Sequence, residues 1–223
     1  EKVSPAVVGI QCWPKDTPAR DPPSAFGTGM PIHPDGLILT SITVVPDDTR
    51  GIQVHLRGGG LLAAGKVKSV PEKEMVLIRI LRKDGAPGGE KETPPSFPFL
   101  RLGDSSSLAI GRLAFALGNA FQSIPEDDQV SFTAGAVSGS YGLTETRGES
   151  RYTGPVIEIS TAVNDGMDGG PLVDFRGDLV GLLSLNYSRN RWLGTAIPID
   201  VLKPYLAEVP GWIGDPQDRS TAY

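Results

Sequence analysis

Cysteine and histidine are nearly missing from this chain: Cys12 stands alone among 223 residues, and the only imidazoles are His33 and His55. A single cysteine excludes an intramolecular disulfide, and so few soft or imidazole ligands exclude a cysteine-rich zinc site. No apolar run approaches the roughly 18 residues a membrane-spanning helix needs. Basic clusters are absent too. Lys and Arg number 21 against 26 Asp and Glu, a net charge of −5, so a phosphate-binding groove for nucleic acid is not expected. The chain opens at Glu1 rather than Met, which fits either a removed leader or a trimmed start.

Glycine and proline, in contrast, are abundant at 28 and 20 residues, a density that leaves no room for long helices. With 39% hydrophobic residues the chain can still bury a core, so disorder is excluded for most of it. Short apolar or alternating runs recur between turn signals, the pattern of an all-β barrel or sandwich. Val7 to Trp13 opens the series, and Phe26 to Ile32 continues through His33-Pro34-Asp35-Gly36 into Leu37 to Thr40. Ile52 to Arg57 alternates strictly, with Ile52, Val54 and Leu56 inward and Gln53, His55 and Arg57 outward. Between Lys83 and Phe99 the chain carries three Gly and four Pro in seventeen residues, which sets a boundary between halves at 1–99 and 100–223. The second half repeats the style, and only Asp200 to Ala207 reads as a helix, with Asp200 as its N-cap. Two six-stranded antiparallel barrels with a short C-terminal helix are the expected architecture.

The segment Asn164-Asp165-Gly166-Met167-Asp168-Gly169-Gly170-Pro171-Leu172 resembles the nucleophile loop of the trypsin-like HtrA/Deg serine proteases, N-x-G-x-S-G-G-P-L. Other segments fall in the same family's order. Phe26-Gly27-Thr28-Gly29 with Pro34-Asp35-Gly36-Leu37-Ile38-Leu39-Thr40 is similar to its entry hairpin. Glu74 to Ile80 is similar to its D-[LI]-A-[VL]-[LI]-[KR]-[IV] strand, Leu102-Gly103-Asp104-Ser105 and Leu117-Gly118-Asn119 to the start of its second barrel, and Gly194 to Pro198 to its specificity-pocket strand. The resemblance implies a chymotrypsin-like double barrel, without a recognisable PDZ domain in this chain.

It also implies a catalytic triad, and here the sequence departs from the family. Thr43 stands where the family has its histidine, Glu74 where it has aspartate, and Asp168 where it has serine. Acyl transfer needs a hydroxyl nucleophile, an imidazole base and an orienting carboxylate; a threonine cannot serve as the base. His33 and His55 read as solvated surface residues, and Cys12 as a small apolar one. The expected function is therefore a pseudoprotease acting as a peptide-binding or scaffolding module. The alternatives are a trypsin-like endopeptidase with residual activity and a divalent-cation site built on Glu74, Glu158, Asp165 and Asp168.

No cofactor or metal is expected. The loop Gly166, Met167, Asp168 is expected to keep an oxyanion-hole shape, with the Asp168 carboxylate turned toward its own backbone N–H groups and Thr43 donating to Glu74. Ser184, Leu185 and Asn186 are expected to form an exposed peptide-pairing edge beside a small pocket at Gly194, Thr195 and Ala196. The resemblance further implies a bacterial periplasmic or other extracytoplasmic setting, and a peptide or protein partner, an active HtrA-type protease among them. Trimers joined through the N-terminal segment are common in the family; little precedes the first strand here.

Overall fold

A computed structural model describes residues 3–15, 22–81, 96–146, 150–184 and 194–209. Twelve strands form two closed antiparallel barrels. The first comprises β1 (Val8–Pro14), β2 (Ala25–His33), β3 (Leu37–Ser41), β4 (Thr49–Leu56), β5 (Gly60–Val70) and β6 (Met75–Ile80), in the order β1-β2-β3-β6-β5-β4. The second comprises β7 (Leu113–Gly118), β8 (Ser131–Leu143), β9 (Gly154–Ile159), β10 (Pro171–Val173), β11 (Leu179–Leu183) and β12 (Gly194–Pro198), in the order β10-β11-β12-β9-β8-β7. Closure leaves neither sheet an unpaired side edge.

Residue patterns explain which strands face what. β4 alternates, burying Ile52 and Val54 while Gln53 and His55 stay partly exposed, because only its inner face is covered. β3 is buried throughout because both faces are covered. Ile38 faces its own barrel's core with Ile10, Val54 and Ile78. Leu37 and Leu39 join a cluster that crosses to Leu117, Val156, Leu182 and Ile197 of the second barrel. Cys12 sits in the first core, and burial pushes its thiol up to about 12, so it stays a protonated apolar filler. The turn into β3 places Gly36 at φ +86°, a conformation glycine adopts without strain. His33 corrects the surface reading: its Nδ1 lies 2.8 Å from Asp35 Oδ1, with a side chain only 12% exposed.

Two helical features depart from expectation. Ser123 to Asp127 forms a short helix α1, a second helix where the sequence offered only Asp200 to Ala207. The terminal helix α2 runs Ile199–Leu206, and Pro198, not Asp200, occupies the position before it. Asp200 lies in the first turn, where its carboxylate accepts from Ser105 Oγ at 2.7 Å and Ser106 N at 3.1 Å and pairs with Lys203 Nζ at 2.6 Å. Burial alone would raise the Asp200 pKa; the Lys203 and Ser105 hydrogen bonds, Lys203's charge and the Ser106 amide together hold it below its ordinary value.

Thr28 joins the barrels. Its hydroxyl donates to Gly166 O at 2.6 Å and accepts from Asn119 N at 2.8 Å, and its own N–H donates to Asp168 O at 2.9 Å. The residue is fully buried, so water cannot replace these partners.

Thr28→Val keeps the shape and strands two buried backbone groups, for an expected loss of about 2–5 kcal/mol in urea unfolding. The same change at the partly exposed Thr133, whose hydroxyl meets Ala162 O at 2.8 Å, should cost less than about 1 kcal/mol. For Asp200, a depressed folded pKa means its stabilisation is complete above the unfolded value and is lost as pH falls through the folded one. Asp200→Asn should therefore lower the melting temperature at pH 7, with the gap to the parent closing below about pH 4.

Candidate functional site

The turn that follows β3 is helical, with Val44 N and Val45 N both donating to Ser41 O at 3.2 and 3.1 Å. This puts the hydroxyls of Ser41 and Thr43 side by side, 2.5 Å apart. Glu74 arrives from the neighbouring strand. It follows the turn Pro71–Lys73 in a left-handed conformation, φ +51°, and its carbonyl accepts from Ile42 N at 3.1 Å. Asp168 comes from the other barrel, on the loop between β9 and β10.

That loop is shaped by close packing. Gly166 and Gly169 have φ of +89° and +76°. A Cβ on Gly166 would lie 2.3 Å from Asn119 O, and one on Gly169 would lie 2.5 Å from Thr28 O. Met167 is fully buried in the second barrel's core, and its N–H donates to Asn164 O at 3.0 Å. Among the described residues no acceptor meets the Gly166 N–H.

Asp168 is about nine-tenths buried, and its Oδ2 accepts from Ser41 Oγ at 3.2 Å and from Thr43 Oγ1. The carboxylate thus reaches across the barrel interface to two hydroxyls, not back to its own loop's amides as expected. Thr43 donates to Asp168 rather than Glu74. Glu74, only 1% exposed, instead accepts from Ser184 Oγ at 2.6 Å. Its charge is felt by the fully buried Tyr152. Burial, then Glu74, pushes that phenol above its ordinary pKa, so it remains a donor, to Pro155 O at 2.5 Å.

The structure therefore brings Thr43 and Asp168 together, and ties Glu74 to Ser184 beside them. Ser184 is not an exposed edge residue. It is fully buried, its N–H donates to Thr195 O at 3.1 Å, and its carbonyl accepts from Thr195 Oγ1 at 2.8 Å. Leu185, Asn186 and Trp192 lie outside the described residues. Gly194, Thr195 and Ala196 are buried in β12, where a Cβ on Gly194 would press to 2.5 Å from Val163 Cγ2.

His33 ends β2, at the opposite end of β3 from Thr43. His55 lies on β4, paired with Gly9 and Leu61, and burial lowers its pKa, favouring the neutral ring. Three of the four acids considered for a cation are engaged separately, Glu158 by Tyr141 OH at 3.1 Å and Asp168 and Glu74 by the hydroxyls above, while Asp165 is exposed. Among the described residues no three His, Cys, Asp or Glu side chains converge into a group that could hold a metal ion.

Sequence reasoning missed Ser41, Thr28, Asn119 and Tyr152 as members of this network. Ser41 had one legible signal, its place two residues before Thr43 in a hydroxyl-rich turn. Asn119 had none, since its role follows from long-range bonds: Nδ2 to Gly27 O at 3.3 Å and Oδ1 from Ile124 N at 2.9 Å.

The sequence profile of the trypsin-like peptidase domain matches residues 27–182. Serine protease HTRA1B of Danio rerio is 32% identical over 209 residues, and serine protease HTRA4 of Homo sapiens 33% over 210, each alignment taking 93% of this chain. The chain spans 40% of the length of both relatives. Among solved structures, an HtrA-type protease with a tripeptide superposes with a TM-score of 0.72 at 24% identity, over 92% of this chain and 60% of its own, which shows the shared fold. The profile covers well over half of the chain and the double barrel agrees with it, and the chain belongs to the trypsin-like peptidase domain family.

Proposed function

We propose that this domain is a catalytically silent HtrA-type module that binds or scaffolds peptides or proteins. The observation that carries the reading is the Asp168 carboxylate, bonded to Ser41 and Thr43 in the place the family gives to its nucleophile and base. Every hydroxyl here donates its proton toward a carboxylate: Ser41 and Thr43 to Asp168, Ser184 to Glu74. A serine nucleophile needs an imidazole that takes its proton and then hands it to the leaving amine. Among the described residues neither imidazole stands beside these hydroxyls to perform that relay: His33 ends β2 and His55 lies on β4. Ser41 and Ser184 are also fully buried, out of reach of a substrate carbonyl.

The partner in this reading is a peptide or protein, an active HtrA-type protease being one candidate, and the cleft between the barrels is its seat. One contact favours the rival reading of residual peptidase activity, the 3.2 Å approach of Ser41 Oγ to Asp168, which places a hydroxyl beside a carboxylate.

The purified protein should not cleave casein above background, and a fluorophosphonate probe should label no serine; labelling at Ser41 or Ser184, located by mass spectrometry, would establish the rival. Asp168→Ser alone should remain inert, because loss of the imidazole by itself costs about a millionfold in a related mechanism. Stability separates a structural carboxylate from a strained relic. Asp168→Ala takes the carboxylate acceptor from the buried Ser41 hydroxyl and the half-buried Thr43 hydroxyl, so unfolding free energy should fall by about 1–3 kcal/mol, with Asp168→Asn losing less because its amide oxygen still accepts. A rise in melting temperature for Asp168→Ala would show that the carboxylate is a liability.

A further inference from the structure

A groove of about 670 Å³ opens on the second barrel, away from Asp168, with a floor of Phe115, Leu117, Val130 and Phe132. That volume lies in the range of sites that hold small ligands or anchor side chains. Phe115 and Phe132 stack with centroids 5.5 Å apart, yet Phe132 remains 59% exposed, and Phe175 on the rim 58%. Two large aromatics left this open on one concave surface are unusual for a domain that otherwise buries its core.

The rim is cationic. Arg57 comes from the first barrel and Arg176 from the β10–β11 turn, while Arg112 stands over the Phe175 ring. Arg112 and Arg176 lie 5.6 and 5.2 Å from the centroid of that ring. Arg57 Nη1 donates to Ser4 Oγ at 2.8 Å, a neutral acceptor. Among the described residues none of the three forms an ion pair, whereas Arg79 and Arg101 pair with Asp35 and Asp178. Asp174 is the one carboxylate lining the groove, and its Oδ1 is already occupied by Arg176 N at 2.8 Å and Asp178 N at 3.0 Å. In a chain of net charge −5, three unpaired guanidinium groups around an aromatic floor are a local reversal of sign.

We infer that this groove docks an extended acidic segment of a partner protein, apolar side chains on the floor and carboxylates on the guanidinium rim. Two features favour a peptide over an amphiphile with a single head group. The cations come from separate segments, Arg57 after β4 and Arg176 in the β10–β11 turn with Arg112 over the same Phe175 ring, which offers several cationic points rather than one. Arginine also takes carboxylates in bidentate fashion while stacking on aromatic faces, which suits alternating acidic and apolar side chains. None of the residues lining the groove takes part in the Asp168 and Glu74 hydrogen bonds, so the inference stands whether or not Asp168 is silent.

The probe is a fluorescein-labelled synthetic peptide alternating Glu with Leu and Phe, titrated with the full chain and followed by anisotropy at low and high salt. Saturable binding that weakens with salt is expected, with no response from the counterpart carrying Lys for Glu. Arg57→Glu with Arg176→Glu should weaken binding by about tenfold or more while leaving the thermal melt unchanged, since both side chains are at the surface. Should that double variant fail to fold, Phe132→Ser and backbone NMR shifts on the parent chain replace it, and shifts must then cluster at Phe132 and Phe175. Three outcomes overturn the inference: no binding, binding insensitive to these changes, or displacement of the peptide by sodium laurate at equal affinity. Sedimentation adds a fourth, self-association through the groove that the same variants abolish while the peptide never binds.

Discussion

Everything at the centre of this molecule hangs from Thr28. Its hydroxyl and amide fix Gly166, Asp168 and Asn119 relative to β2, and its carbonyl accepts from Thr40 Oγ1 at 2.7 Å. One residue of the first barrel therefore positions both loops of the second that border the interface. Because the site is dry, each of these bonds is held at full desolvation cost, and a slip of either barrel would strand several polar groups at once. The apolar cluster shared between barrels supplies adhesion but little direction. The Thr28 bonds supply direction.

Within that frame two carboxylates are buried at the barrel interface, and the surroundings supply donors to each. A buried carboxylate needs hydrogen-bond donors to remain charged. Ser41 and Thr43 provide them for Asp168, and Ser184 does so for Glu74. The two acids are served by different donors from different strands, which lets them lie in one interface without sharing a site. Tyr152, held protonated by burial and by Glu74, adds a neutral wall on that side.

The barrels were legible because their signals are local: alternation in Ile52 to Leu56, an Asp-Gly turn before β3, continuous apolar runs in β3 and β6. The resemblance singled out Thr43, Glu74 and Asp168 because its motifs are short and ordered, and the structure sets Thr43 against Asp168. Partner choice was not legible. Thr43 bonds Asp168 across 125 residues of sequence, and Ser184 reaches Glu74 across 110. Nothing in the spacing of either pair tells which hydroxyl serves which acid, and that is decided by how the barrels dock. α1 was not foreseen because it is a single helical turn, closed by the bond from Asp128 N to Ile124 O, too short to leave a periodic pattern.

The glycines of the Asp168 loop bear on how such loops are read. A Cβ on Gly166 would strike a backbone carbonyl of the β7–α1 connection, one on Gly169 the carbonyl of Thr28, and one on Gly170 Leu117 O at 2.5 Å. None of these contacts involves a reacting atom. Each is a place where backbone from one element must approach backbone from another, and glycine alone allows it. The G-x-x-G-G-P pattern is thus first a packing requirement of this double barrel. Chemistry is carried by the side chains set between those glycines and opposite them, here Asp168 and Thr43. A loop can retain every glycine and still hold, at its centre, a carboxylate bound to hydroxyls where acyl transfer would need a hydroxyl bound to a base.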